Sequence, residues 1–401
     1  MEGDGTDGRR TTGGDGQGAK AVKLETVVDG TLVATRDRAV YRGPVDGRLR
    51  RVGRLPTPTG GLDGLRFHLR TTRAVKRAVS VVTGRFPSVN VEVVDSQSLV
   101  ATAGTWVFAS PDRGATWRVT ARLPDSSGPM GVLPSALCAH EGTVTFGEYP
   151  LAGDKPPRIR RSRDGGATWE TVLEVPGVRH IHGVTRDPYT GEWWVTTGDT
   201  DDECYIGRLR DGEFVPVGGG SQQWRAVELA FTEKFVLWGV DCNYTSDRRI
   251  YRLPRGDLSR ADPTPTPVAS LSSPVFYAAA AEVDGERWVA FATAASANPD
   301  STGPEDNETG SDVTRVVAAS SASAYERWYE VTSGRRQRGF AERVGADGIV
   351  PPTNAYTFLE SDGERLLVNP YNTREDDGQI LSFGREYFSS VAERSRVLFE
   401  G

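Results

Sequence analysis

Cysteine is scarce. The 401 residues hold three, Cys138, Cys204 and Cys242, widely separated and with no C-x-x-C pair. An odd, scattered set argues against a disulfide-stapled secreted framework and offers no zinc-ribbon spacing. Lysine is nearly absent, found only at Lys20, Lys23, Lys76, Lys155 and Lys234, so positive charge is carried almost entirely by arginine. That bias points to a GC-rich, salt-adapted host rather than to an activity. No apolar run approaches the ~20 residues that span a bilayer. Met1 to Gly18 is rich in Gly, Asp and Thr and lacks the apolar core of a signal peptide. Basic stripes are also missing. Net charge is -6, and the arginine runs are short ones such as Arg48 to Arg51 and Arg335 to Arg338, too little to neutralise a phosphate backbone. These absences leave an expectation of a soluble, cytoplasmic monomer with no membrane, nucleic-acid or cofactor requirement. Residues 1–22 read as a disordered Gly/Asp-rich leader and 23–401 as the folded domain.

Hydrophobic residues at 37 % and charged residues at 25 % give ample material for a core. Two octets stand out. Ser110-Pro111-Asp112-Arg113-Gly114-Ala115-Thr116-Trp117 and Ser162-Arg163-Asp164-Gly165-Gly166-Ala167-Thr168-Trp169 both read S-x-D-x-G-A-T-W. Each sits between two short β-rich runs, the second ending in Leu123-Pro124 or Val175-Pro176. Strand, tight turn, strand is the reading. The Asp can accept turn N–H groups, the Gly supplies a positive φ, and the Trp offers an apolar plate for packing between units. Weaker echoes occur at Tyr41 to Pro56, Ile206 to Phe214 and Ile250 to Leu253. A four-stranded unit therefore recurs roughly every 45–55 residues, which is propeller-blade spacing. The expected fold is all-β, one propeller of seven four-stranded blades near 24–55, 72–125, 130–176, 178–217, 221–270, 274–331 and 350–385. A terminal unit left incomplete would make six or eight. The tail from Gly384, with Val391 and Val397-Leu398-Phe399, reads as a short helix docking on the ring.

The octets resemble the Asp box, or BNR repeat, of sialidase-like propellers, photosystem assembly factors and sortilin-type receptors. The residues carrying the resemblance are Ser110, Asp112, Gly114 and Trp117 with Ser162, Asp164, Gly166 and Trp169. In those families the box is structural and lies on the face away from the active site, so it implies architecture and a carbohydrate or protein-binding context rather than a reaction. Sialidase-type enzymes also use an arginine triad, a Tyr/Glu pair, an Asp and an Arg-Ile-Pro motif. Here Arg158-Ile159-Arg160 abuts an octet instead, and no Arg-Ile-Pro occurs. Sialidase activity is not expected.

In a propeller the first strand of each blade lines the channel, so aligning those strands nominates a site. His180-Ile181-His182, Gln223-Trp224-Arg225, Val275-Phe276-Tyr277 and Asn354-Ala355-Tyr356 fall in register. One column thus reads His182, Arg225, Tyr277 and Tyr356, joined by Asn90. Period-two alternation puts His180 beside His182. The ends of the second strands supply a polar column of Glu148, Asp199, Asp241 and Asn369. Convergent polar groups in a concave channel make a site hypothesis. His180 and His182 could ligate a metal, but the pattern offers no third ligand, so channel lining is the reading and no metal is expected. Three uses stay open: a uronate lyase with Arg225, His182, Tyr277 and Tyr356; a hydrolase with two of Glu148, Asp199 and Asp241; and a binding scaffold with no reaction, taking a sugar, another small polar ligand or a protein partner.

Overall fold

The computed structural model describes residues 10–11, 21–72, 89–128, 130–151, 155–242, 248–295, 312–337, 354–394 and 397–400. Strands of β-branched and small residues, separated by Gly and Asp turns, pair with their sequence neighbours into seven antiparallel sheets. The innermost strands of blades 1 to 7 are Lys23–Val28, Val89–Val93, Leu137–His140, Ile181–Arg186, Ala226–Phe231, Val275–Val283 and Tyr356–Ser361. Each packs against the inner strand of the next blade, and that of blade 7 against that of blade 1, so the ring closes. The expected seven-bladed propeller is the fold. Apolar residues from adjacent blades form the core between sheets, for example Val144, Phe146 and Ile159 of blade 3 with Ile181, Val184 and Val195 of blade 4.

Three features go beyond the repeat pattern. Blade 7 takes three strands from its own segment, Tyr356–Ser361, Leu366–Tyr371 and Leu381–Phe383, and its fourth from Arg10–Thr11, which pairs with Ser382 and Leu381. The segment read as a leader therefore contributes a strand; residues 1–9 and 12–20 lie outside the described residues. A helix, Gly61–Thr71, stands between blades 1 and 2, with Phe67 buried against Phe108. The tail forms the expected helix, Arg385–Arg394, whose Tyr387, Phe388 and Val391 dock into the core of blades 6 and 7. Beyond it Val397–Glu400 pairs with Arg327–Arg335 and gives blade 6 a fifth strand, covering an edge that would otherwise present open backbone groups. No described helix is long and apolar enough to cross a membrane. All three cysteines are free.

The two octets join the third and fourth strands of blades 2 and 3 and share one hydrogen-bond pattern. Ser110 and Ser162 donate to Asp112 and Asp164 at 2.9 and 2.8 Å, and accept from the N–H of Gly114 and Gly166 at 2.8 Å. The Asp carboxylates accept from the backbone and hydroxyl of Thr116 and Thr168. Those bonds hold the Asp164 carboxyl at about 2. The Trp169 ring reaches across to Thr120 of the preceding blade. Gly166 has φ +84°, and a Cβ there would lie 2.3 Å from Val100 of blade 2. G166A is expected to cost about 2–4 kcal/mol through left-handed strain and an overpacked blade interface, read as a shifted urea midpoint.

Candidate functional site

In every blade the start of the inner strand and the end of the second strand meet at one edge, while in blades 1 to 6 the turn between third and fourth strands lies at the other. The octets and the two columns of polar residues therefore occupy opposite faces of the ring. On the column face, side chains of blades 3, 4 and 5 gather around Asp199, which follows the second strand of blade 4, Trp193–Thr197. His180 Nε2 lies 3.1 Å from Asp199 Oδ2 and His182 Nε2 3.6 Å from Oδ1. Arg225 donates through Nη2 to Oδ1 at 2.9 Å and through Nη1 to the Asp199 carbonyl at 2.8 Å. Arg179 Nη2 approaches Oδ2 at 2.9 Å, and Asp241 Oδ2 lies 3.7 Å from Arg225.

Local folding fixes this arrangement. A bulge between Ile181 and Gly183 offsets the strict alternation of the inner strand, yet the two imidazoles remain stacked, 5.0 Å apart. Tyr149 of blade 3 stacks on His180 at 3.9 Å. Ser135 donates to the His182 carbonyl at 2.6 Å. Gly183 lets blade 4 press against blade 5, since a Cβ there would sit 2.3 Å from the Val227 carbonyl oxygen. His180 and His182 are each 2 % exposed, whereas the Asp199 side chain is 18 % and that of Arg179 36 % exposed, so the cluster opens to solvent through these last two.

The electrostatics follow from burial and neighbours. Burial alone would raise the Asp199 carboxyl, but the imidazoles of His180 and His182 hold it far below the usual carboxylate range. Desolvation raises Asp241 despite the Arg225 guanidinium beside it. It lowers His182, which Asp199 only partly offsets, and favours the neutral ring. Arg225 is raised, because Asp241 and Asp199 outweigh its own desolvation. One carboxyl is thus held ionised and its neighbour pushed toward protonation.

The other nominated residues lie elsewhere. Tyr277 lines the channel cavity and packs on Phe358, its hydroxyl buried without a hydrogen bond among the described residues. Tyr356 packs on Phe276 and accepts a hydrogen bond from Asn354 at 3.2 Å. Burial raises both phenols, Tyr277 with a further push from Glu228, so both stay protonated. Glu148 leaves the acidic column, because the third strand of its own blade places Arg158 against it at 2.8 Å. Asn369 staples blade 7 to blade 1 by accepting from Leu24 N at 2.8 Å and donating to Gln379 O at 2.7 Å. Asn90 accepts from Lys23 Nζ at 2.9 Å and donates to Val132 O at 2.9 Å. All three make their described contacts within the ring, away from Asp199.

Arg179 and Tyr149 escaped the column analysis, since both lie in loops outside the aligned strands. So did four channel carboxylates. Glu25, Glu92, Glu228 and Glu360 of blades 1, 2, 5 and 7 line a cavity of about 280 Å³ with Lys23 and Tyr277. Burial raises all four; Glu228 and Glu360 are pushed up to about 8.

No family model matches this chain, and no curated protein matches it in sequence. Solved structures do match in shape. A streptogramin B lyase structure is similar with a TM-score of 0.52 and 11 % identity, covering 93 % of this chain and 96 % of that one. A chain of the mitotic checkpoint complex is similar at 0.51 and 12 % identity, covering 94 % of each. YCF48 bound to D1 peptide gives 0.48 at 11 % identity over 93 % of each chain. At such identities the first two likenesses establish the propeller fold and nothing finer.

Proposed function

We propose that the protein is a ligand-binding propeller whose working site is the column face around Asp199, and that it takes a small polar ligand there. A sugar is the class suggested by the resemblance of its octets to Asp boxes. One observation carries this reading: His180, His182, Arg179 and Arg225 all point at one partly exposed carboxylate, on the face opposite the octets. Preorganised polar groups around an accessible centre are what a polar ligand requires. Processing of the ligand is favoured over binding alone by the divergent carboxyls, Asp199 held low and Asp241 raised. Such a split makes Asp199 the stronger acid of the pair and Asp241 the weaker. The uronate-lyase reading is weaker, because Arg225 is already engaged by Asp199 and Asp241, and the more exposed Arg179 also pairs with Asp199.

A thermal-shift panel of neutral sugars, uronic acids and short oligosaccharides, run on wild type and R179A, tests this. The expected result is one sugar class that raises the wild-type midpoint with concentration, with binding weakened about tenfold or more in R179A. An equal shift in both proteins would place the ligand elsewhere. No shift with any sugar, together with a protein partner that protects the octet face, would replace the reading with a scaffold role.

A further inference from the structure

We infer that His180, His182 and Asp199 bind one divalent transition-metal cation, Zn²⁺ or Fe²⁺ being the kind that two imidazoles and one carboxylate suit. The sequence pattern supplies the histidine pair without a third ligand; the fold supplies Asp199. One donor atom from each of the three lies within 4.8 Å of the other two. His180 Nε2 lies 3.1 Å from Oδ2 and His182 Nε2 3.6 Å from Oδ1, each near the ~3.3 Å between two ligands about 2.0–2.1 Å from a tetrahedral ion, with the two imidazoles facing different oxygens of the carboxylate.

The His180 tautomer carries the argument furthest. Its Nδ1 lies 3.2 Å from the Pro150 carbonyl oxygen. A carbonyl only accepts, so Nδ1 donates there and Nε2 is the ring atom left to meet a metal. Nε2 faces Asp199 Oδ2 at 3.1 Å, buried and without hydrogen-bond geometry. A cation between the two atoms would take a donor pair from each and satisfy both. The surroundings match an outer shell. A carbonyl fixes the imidazole, Arg225 orients Asp199 through one hydrogen bond to its carboxylate and one to its main-chain carbonyl, and Tyr149 stacks on the ring. Arg179 is the competing cation at Oδ2, and as the most exposed member of the cluster it is the easiest to displace. Three protein donors leave a position for water or a ligand oxygen, which is how such a site would serve the proposed ligand. The inference rests on the column face being the working site, but its test contains no sugar, so the two readings fail separately.

Chelator-treated full-length protein is titrated with Zn²⁺ by calorimetry and loaded with Cu²⁺ for electron paramagnetic resonance. One ion per chain is expected, with nitrogen coupling from two imidazoles. H180A and H182A should each lose one coupled nitrogen and weaken binding about tenfold or more, while H140A, which alters an exposed histidine, should match wild type. Wild-type affinity no greater than that of the H180A/H182A double variant would overturn the proposal. So would a wild-type Cu²⁺ spectrum without nitrogen coupling, a readout that needs no variant to fold. A His180 ring doubly protonated at neutral pH and unmoved by Zn²⁺ in nitrogen NMR would also overturn it, by assigning an imidazolium ion pair instead.

Discussion

D199A is expected to abolish ligand binding at the column face and to lower global stability by about 3 kcal/mol, the cost of breaking a largely buried ion pair from one side. The loss arises because Arg225, 7 % exposed, keeps its charge while losing its hydrogen bond to the Asp199 carboxylate and retaining only the one to the main-chain carbonyl. Asp241, 3.7 Å away and pushed toward protonation, is a poor substitute counter-ion. R179A removes a partner of the same carboxylate at the same 2.9 Å but from a more exposed position, so its stability cost should stay below about 1 kcal/mol. Urea unfolding of the two variants beside wild type checks the contrast. Equal small losses would mean that Asp199 is not the electrostatic centre of the cluster.

E228Q should stabilise the protein at pH 7 by about 1–2 kcal/mol, an estimate kept below the full shift because the channel is partly wet. Glu228 lines the cavity with Glu25, Glu92, Glu360, Lys23 and Tyr277, and burial pushes its carboxyl up to about 8. In the unfolded chain it titrates near the ordinary glutamate value. Between those values the folded state holds a proton that the unfolded state has lost, so wild-type stability falls as pH rises from about 5 to about 8. Glutamine keeps an acceptor for the Ala278 N–H, which Glu228 now receives at 2.7 Å, and removes the titration. The variant and wild type should therefore coincide near pH 5 and diverge toward pH 8 in urea midpoints. A constant difference across that range would assign the effect to packing rather than charge.

The fold was legible because its signals are local and repeated. Each octet encodes its turn through one Ser, one Asp and one Gly, and the recurring strand–turn spacing sets the blade count. The site was legible where register repeats. His182, Arg225, Asp199 and Asp241 converge because the start of each inner strand and the end of each second strand share an edge. Legibility ended where a neighbouring strand decides a side chain's partner. Nothing local to Glu148 or Asn369 reveals that Arg158 claims the first and Leu24 of another blade the second. Bulges hid two of the channel carboxylates. Register shifts between Leu24 and Thr26 and between Ala226 and Leu229 break the period-two rule on which face assignment depends, at Glu25 and Glu228 themselves. The strand from Arg10–Thr11 was invisible for a different reason: a two-residue pairing carries no periodicity at all.

The central claim is that the working surface is the column face around Asp199 and not the octet face. A crystal structure of the protein soaked with the sugar giving the largest thermal shift tests it most directly. The account predicts ligand oxygens within hydrogen-bond distance of Asp199 or Arg179, above the stacked His180 and His182 rings. Ligand density beside Trp117 and Trp169 on the opposite face, with the Asp199 cluster unchanged, would contradict it.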